Sequence, residues 1–235
     1  MIQGPEKAQI QNLFTGIAPG YDLANDLITF GMARGWRKKL VTWSGAKPGD
    51  KVLDCATGTG DLAFDFKKKV GDAGQVLATD FCQGMLDQAP EKARTLDLDV
   101  TFEWADVTQL KYEDHQFDCT SIAYGIRNVE DPVKALKEMA RVTKPGGVVM
   151  ILETGRSQWA LMQWGFDFYF KNVVPILGGA VTGDSSAYKY LNKSSKNFPC
   201  REEFLALMKQ AQSFSKCEYK SLLGGASFLY KGIVQ

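Results

Sequence analysis

A chain of 235 residues, 45% apolar, carries 28 basic against 27 acidic side chains, a formal charge of +1. That is enough apolar material for one domain with embellishments. The balance is too even for a main partner made of nucleic acid, which calls for a basic excess against phosphate.

Gln3, Glu6, Lys7 and Gln9 interrupt any apolar leader, and no apolar run reaches the roughly 18 residues that span a bilayer. Ile10, Leu13, Phe14 and Ile17 recur at helical spacing over residues 7–20, where Pro19-Gly20 breaks the pattern. A short helix is predicted over 21–30 and a basic amphipathic one over 32–43, with Trp36, Leu40 and Trp43 inward. Arg34, Arg37, Lys38 and Lys39 read as a solvated face, with anionic lipid head groups as the sharper alternative.

Lys47-Pro48-Gly49-Asp50 turns into an apolar strand, Val52-Leu53, and strands and helices then alternate. Strands are expected at 75–80, 100–104, 117–123 and 148–152, and helices at 61–70, 81–96 and 132–142. This order predicts a parallel sheet with right-handed crossovers and a ligand at its carboxyl edge. Asp54, Asp80, Asp106 and the loop after Ala123 all fall on that edge. Residues 159–175 are dense in aromatics and read as one amphipathic helix ending near Pro175, mostly core with room for a pocket. Gly178-Gly179 and Gly183 read as loop, 184–191 and 201–211 as helices, and 219–223 with 227–234 as a closing hairpin.

The loop Asp54-Cys-Ala-Thr-Gly58-Thr59-Gly60-Asp61 follows a strand and opens a helix. Gly58 and Gly60 let backbone approach a ligand, and the helix start offers free N–H groups. Asp80, about 20 residues beyond, suits a pair of ribose hydroxyls, or else caps a helix. Ala63 is tolerated in a dinucleotide fingerprint, but Asp61 would repel a pyrophosphate. A sulfonium cofactor without phosphates, S-adenosylmethionine, suits the acidic rim of Asp54, Asp61, Asp80 and Asp106 instead. Asp106 suits the adenine amino group, or else is a turn residue. Scattered Cys55, Cys82, Cys119, Cys200 and Cys217 form no CxxC, and His115 is the one histidine, in a polar run and expected to be exposed. No metal site is expected, and the free thiols suit a reducing cytoplasm.

Beyond the loop, the stretches Phe14-x-x-Ile-Ala-Pro-x-Tyr21-Asp22, Phe30-Gly31 with Trp36-Arg37, Tyr124-Gly-Ile-Arg127-Asn128-Val129 and Gly183-Asp184-x-x-x-Tyr188-x-Tyr190-Leu191 are more specific. With Lys144-Pro-Gly-Gly147 they resemble the ubiquinone/menaquinone biosynthesis C-methyltransferase family of class I S-adenosylmethionine-dependent methyltransferases, over nearly the whole chain. The resemblance implies an α/β Rossmann-like fold: a mostly parallel seven-stranded sheet with an antiparallel C-terminal hairpin. It divides a single domain into a helical cap (1–45), a cofactor-binding core (46–155), a helical substrate lid (156–198) and the end of the sheet (199–235).

It implies cofactor contacts at Thr59, Asp80, Asp106 and Val107, beside Asp54, Gly58 and Gly60 of the loop. Ala123 stands where Ser is usual, so a side-chain hydrogen bond is lost there. Leu152-Glu153-Thr154 and Ser227-Phe-Leu-Tyr230 also depart from the family's usual stretches. The activity implied is methyl transfer to a ring carbon of a prenylated quinol. Arg127 would stabilise a phenolate unless it pairs with a rim carboxylate such as Asp22, Asn128 would orient a hydroxyl, and the candidate proton acceptors are water, Tyr124, Tyr188 and Tyr190. Other expectations are a cytoplasmic protein touching membranes peripherally, with homo-oligomerisation open. Readings held beside it are another apolar aromatic acceptor, a nicotinamide oxidoreductase and a non-catalytic adenosylmethionine-binding module.

Overall fold

The structure, a computed structural model, describes residues 4–235; Gln3, part of the leader reading, lies outside them. Seven strands form one sheet in the order β3-β2-β1-β4-β5-β7-β6: β1 (Lys51–Cys55), β2 (Gln75–Asp80), β3 (Thr101–Trp104), β4 (Phe117–Ala123), β5 (Thr143–Thr154), β6 (Phe214–Leu222) and β7 (Ser227–Val234). Strands β1 to β5 run parallel, and β7 runs antiparallel between β5 and β6. The order reverses between β1 and β4, so the crevice at their carboxyl ends is where such a sheet takes a ligand.

Alternation along β1 divides the core. Val52 faces Leu62, Phe66 and Val76 together with Leu40, beneath α3 (Met32–Ser44) and α4 (Asp61–Val70). Leu53 and Cys55 face the opposite layer of α7 (Pro132–Val142) and α11 (Glu202–Gln210), with Met139, Phe204, Phe228 and Tyr230. Above the carboxyl edge lie α1 (Lys7–Ile17), α2 (Tyr21–Thr29), α8 (Ala160–Phe168), α9 (Val174–Thr182) and α10 (Ser185–Asn197).

Four local expectations need correction. The helix expected over 81–96 is two short ones, α5 (Gln83–Leu86) and α6 (Ala89–Thr95), because Pro90 sits in the first turn of the second and has no N–H to continue the first. Lys144-Pro-Gly-Gly147 does not precede β5 but interrupts it, as an irregularity against β4 between Thr143 and Val148. The helix over 159–175 does not end at Pro175. A single wide π-type turn, Tyr169–Val173, absorbs the proline, and α9 runs on through Gly178-Gly179 to Thr182. Nor is the first half of that segment core: α8 buries no residue, and Trp159, Leu161, Trp164 and Phe168 are exposed, whereas Val174 at its far end is buried, with Tyr169 and Phe170 packed nearby.

Candidate active site

Two cavities open at the carboxyl edge and share Tyr21, Ala56, Gly58, Ala123 and Tyr124. The smaller lies between Asp80, Asp106 and Val107 on one side and Ile10, Phe14 and Met85 on the other. The larger reaches from Asp54 and the glycine loop under α2, α3 and α8. Ala56 and Tyr124, at the ends of β1 and β4, both adopt left-handed backbone (φ 49 and 56), so the chain turns away from the sheet at the junction of the cavities.

Asp80 is buried, and its two oxygens accept from the N–H groups of Gly58 and Cys82, each at 2.8 Å. Burial pushes its carboxyl up to about 6 against the pull of these N–H donors. Asp54 accepts from Thr57 Oγ1 at 2.7 Å and Ser121 Oγ at 2.6 Å; burial lifts it further, to about 7. Both are carboxylates whose charge is costly until a cation or donor arrives. Gly58 (φ +59) lies in the wall of both cavities, and its missing side chain keeps that wall thin. Gly60 does not line either cavity: a Cβ there would stand 2.7 Å from the Phe64 ring, so this glycine serves helix packing.

The acidic rim is not free, as the composition of the loop suggested. Asp61 is bound by Arg37 at 2.7 Å and Lys92 at 2.8 Å, and these cations lower its pKa against burial. Arg37 is therefore drawn off the solvated face expected for it and lines the larger cavity. Lys92 also reaches Asp22 at 2.6 Å and Thr59 Oγ1 at 3.0 Å, while Thr59 donates to Asp22 at 2.6 Å. Asp106 is both cavity wall and turn residue: Oδ1 accepts from Thr108 N and Oγ1, each at 2.8 Å, and Oδ2 pairs with Lys7 of α1. Of the four rim aspartates, Asp54 and Asp80 have no ion-pair partner among the described residues. Ala123 lines both cavities and Val107 the smaller.

Arg127 is buried in the wall of the larger cavity, on a short 3-10 turn after β4. It pairs with Glu153 of β5 rather than with Asp22, and also donates to the Tyr124 carbonyl at 2.8 Å. Glu153 Oε1 also accepts from Thr154 N at 2.7 Å and Oγ1 at 3.1 Å, while Oε2 accepts from the Arg127 N–H at 3.4 Å. It therefore holds the guanidinium in place. Asn128 faces the smaller cavity, with Oδ1 accepting from Tyr190 at 3.0 Å. The expected pair thus serves opposite cavities.

Tyr188 is not brought to the site. It lines neither cavity, lies buried with Ile17, Ala24, Ile28 and Val174, and packs on Gly178, where a Cβ would come within 2.3 Å of its ring. Its hydroxyl is buried with no hydrogen-bond partner among the described residues. His115 is exposed and distant from both cavities. Residues given no role by the sequence include Tyr21, Arg37, Lys92 and Glu153. The first two stood in the motifs Tyr21-Asp22 and Trp36-Arg37; Lys92 had no signal, because its four-carbon stem reaches the loop only in the fold.

The sheet order, the glycine loop and two buried aspartates at successive strand ends define a class I methyltransferase fold. Solved structures agree: an S-adenosylmethionine-dependent methyltransferase from Thermotoga maritima (18% identity, TM-score 0.68, 95% of this chain and 99% of that one) and the [4+2]-cyclase SpnF (15%, 0.67, 100% and 98%) share it. The second shows that the fold alone does not dictate the chemistry. Within that class the chain belongs to the ubiE/COQ5 methyltransferase family, whose model matches residues 2–234. It is 56% identical, over 98% of both chains, to the ubiquinone/menaquinone biosynthesis C-methyltransferase UbiE of Bdellovibrio bacteriovorus. To the protein of that name in Teredinibacter turnerae it is 38% identical, over 98% of this chain and 94% of the other.

Proposed function

We propose that the chain transfers a methyl group from S-adenosylmethionine to a ring carbon of a prenylated quinol in menaquinone or ubiquinone biosynthesis, demethylmenaquinol being the foremost acceptor. The observation that carries this is the pair of cavities meeting at Gly58, Ala123 and Tyr124, one edged by Asp80 and Asp106, the other mostly apolar, with Asp54 at its inner end and the guanidinium of Arg127 held in its wall by Glu153. The residues fit the cofactor: Asp80 and Asn128 face the smaller cavity, where ribose hydroxyls and a base would lie, and Asp54 awaits a cationic amino group. When bound, S-adenosylmethionine supplies an activated methyl on a positive sulfonium.

The protein's own work is placement and exclusion of water. Tyr21, Ala56 and Tyr124 form the passage between cavities and bring the acceptor ring in line. Arg127 offers N–H donors to a quinol oxygen, so that loss of its hydroxyl proton and the rise of electron density on the ring carbon cost less. Because Glu153 neutralises it, Arg127 acts by directed hydrogen bonds more than by net charge. Tyr190 fixes Asn128.

The test is calorimetric titration of the purified protein with S-adenosylmethionine and with NADH, followed by incubation with a short-tailed demethylmenaquinol. Binding of the first ligand and a product heavier by one methylene are expected. Binding of NADH alone would end this reading. Asp80→Ala and Arg127→Ala should each abolish turnover.

A further inference from the structure

Among the described residues, eight of the eleven large apolar side chains left exposed belong to two segments, 21–30 and 159–176. In α2 they are Leu23 and Leu27, followed by Phe30 at the left-handed residue that ends the helix; along α8 they include Leu161, Trp164 and Phe168. Leu23 with Leu27, and the α8 side chains, each form one stripe of a helix. Leu161 is 82% exposed and Trp164 68%, far beyond what scattered surface residues require.

The stripes meet at the larger cavity. The Phe30 ring lies 5.9 Å from that of Tyr169, and both residues line the cavity. On the other side Leu223, half-exposed, also lines it. Its neighbour Gly224 lies against Met162, with Trp159 alongside. The apolar surface is thus continuous with the mouth of the apolar cavity.

Charge tells what covers it. Segments 21–39 and 156–196, which carry the stripes, hold nine basic and four acidic residues, an excess of five positive charges in a chain whose total is +1. Arg34, Lys38, Lys39, Lys171, Lys189 and Lys193 are exposed there. A second copy of this chain would bring like charge against like; an anionic lipid surface brings the opposite charge, with tryptophan at the headgroup level.

We propose that this face seats on an anionic lipid surface, α2 and α8 lying in the headgroup region, so that a lipid-dissolved tail enters the larger cavity without crossing water. The seating rests on the exposed stripes and their charge; only the tail's entry rests on the quinol reading.

The experiment is flotation of the full chain with vesicles of phosphatidylcholine alone and of phosphatidylcholine with phosphatidylglycerol. We expect flotation with the anionic vesicles only, weakened by salt, and reduced at least about tenfold in the double variant Leu161→Glu/Phe168→Glu. Neither residue lines a cavity, so this variant should bind S-adenosylmethionine and methylate a tail-less acceptor as the unaltered chain does. The proposal is overturned if the chain stays unbound with both vesicles, if it binds both equally, or if the variant floats as well as the parent. It also falls if sedimentation shows a concentration-dependent dimer that the double variant abolishes, which would make the face a contact between copies. Flotation as expected, with no turnover of any quinol, supports the seating and counts against the quinol reading alone.

Discussion

Glu153 and Arg127 form a buried ion pair across the ends of β5 and β4, with neither side chain more than 3% exposed. Two charges so far from water are tolerated only because each is paired and hydrogen-bonded. Glu153→Ala leaves the guanidinium uncompensated and should cost about 3–5 kcal/mol of stability. Arg127→Leu with Glu153→Leu should recover most of that loss yet remain without turnover. Urea unfolding and methyl-transfer rates on the three proteins separate the two roles. A double variant that still turns over would remove Arg127 from the reaction.

Asp54 makes cofactor binding depend on pH. Its pKa in the fold, about 7, lies above the ordinary 3.8. Between these values the folded chain holds more protons than the unfolded one, so the free protein loses stability as pH rises through that window. A cationic ligand favours the ionised form, so affinity for S-adenosylmethionine should rise with pH and level off above about 7. Asp54→Asn should bind more weakly, lack the rise near 7, and unfold at higher temperature than the parent at alkaline pH when no ligand is present. Calorimetry and thermal melts across pH test both; a parallel pH profile in the variant would refute the assignment.

Tyr188 should prove a packing residue. Its buried hydroxyl has no hydrogen-bond partner among the described residues, so Tyr188→Phe removes an unsatisfied group and should leave turnover unchanged and stability equal or slightly higher. Gly178→Ala, by contrast, drives a methyl into the Tyr188 ring and should cost about 1–3 kcal/mol. Loss of turnover in a stable Tyr188→Phe protein would restore the catalytic reading.

Lys92 organises the glycine loop from outside it. It is the cation joining Asp22, Thr59 and Asp61. Lys92→Met leaves Asp22 and Asp61 facing each other with Arg37 alone, so affinity for S-adenosylmethionine should fall about tenfold or more while the fold persists. Titration beside a circular-dichroism melt checks this. An unchanged dissociation constant would reduce the network to surface decoration.

Much of this molecule could be read from local pattern. Strand β4 and helix α7 fall where their apolar spacing put them, because burial on one face writes a period of two or 3.6 residues into the chain. Asp54 and Asp80 stand at strand ends, and parallel topology sends every such end to one edge. The sequence by itself therefore determined the sheet, the crevice and the kind of ligand it takes. Tertiary structure alone decided which charges survive there: Lys7, Arg37 and Lys92 come from helices far along the chain to neutralise Asp106 and Asp61, and Glu153 claims Arg127. It also placed Tyr188 in the core and the aromatic face of α8 outside it. The physical reason is range: hydrophobic periodicity is set by neighbours in sequence, whereas long charged and aromatic side chains find partners across space, which no local spacing records.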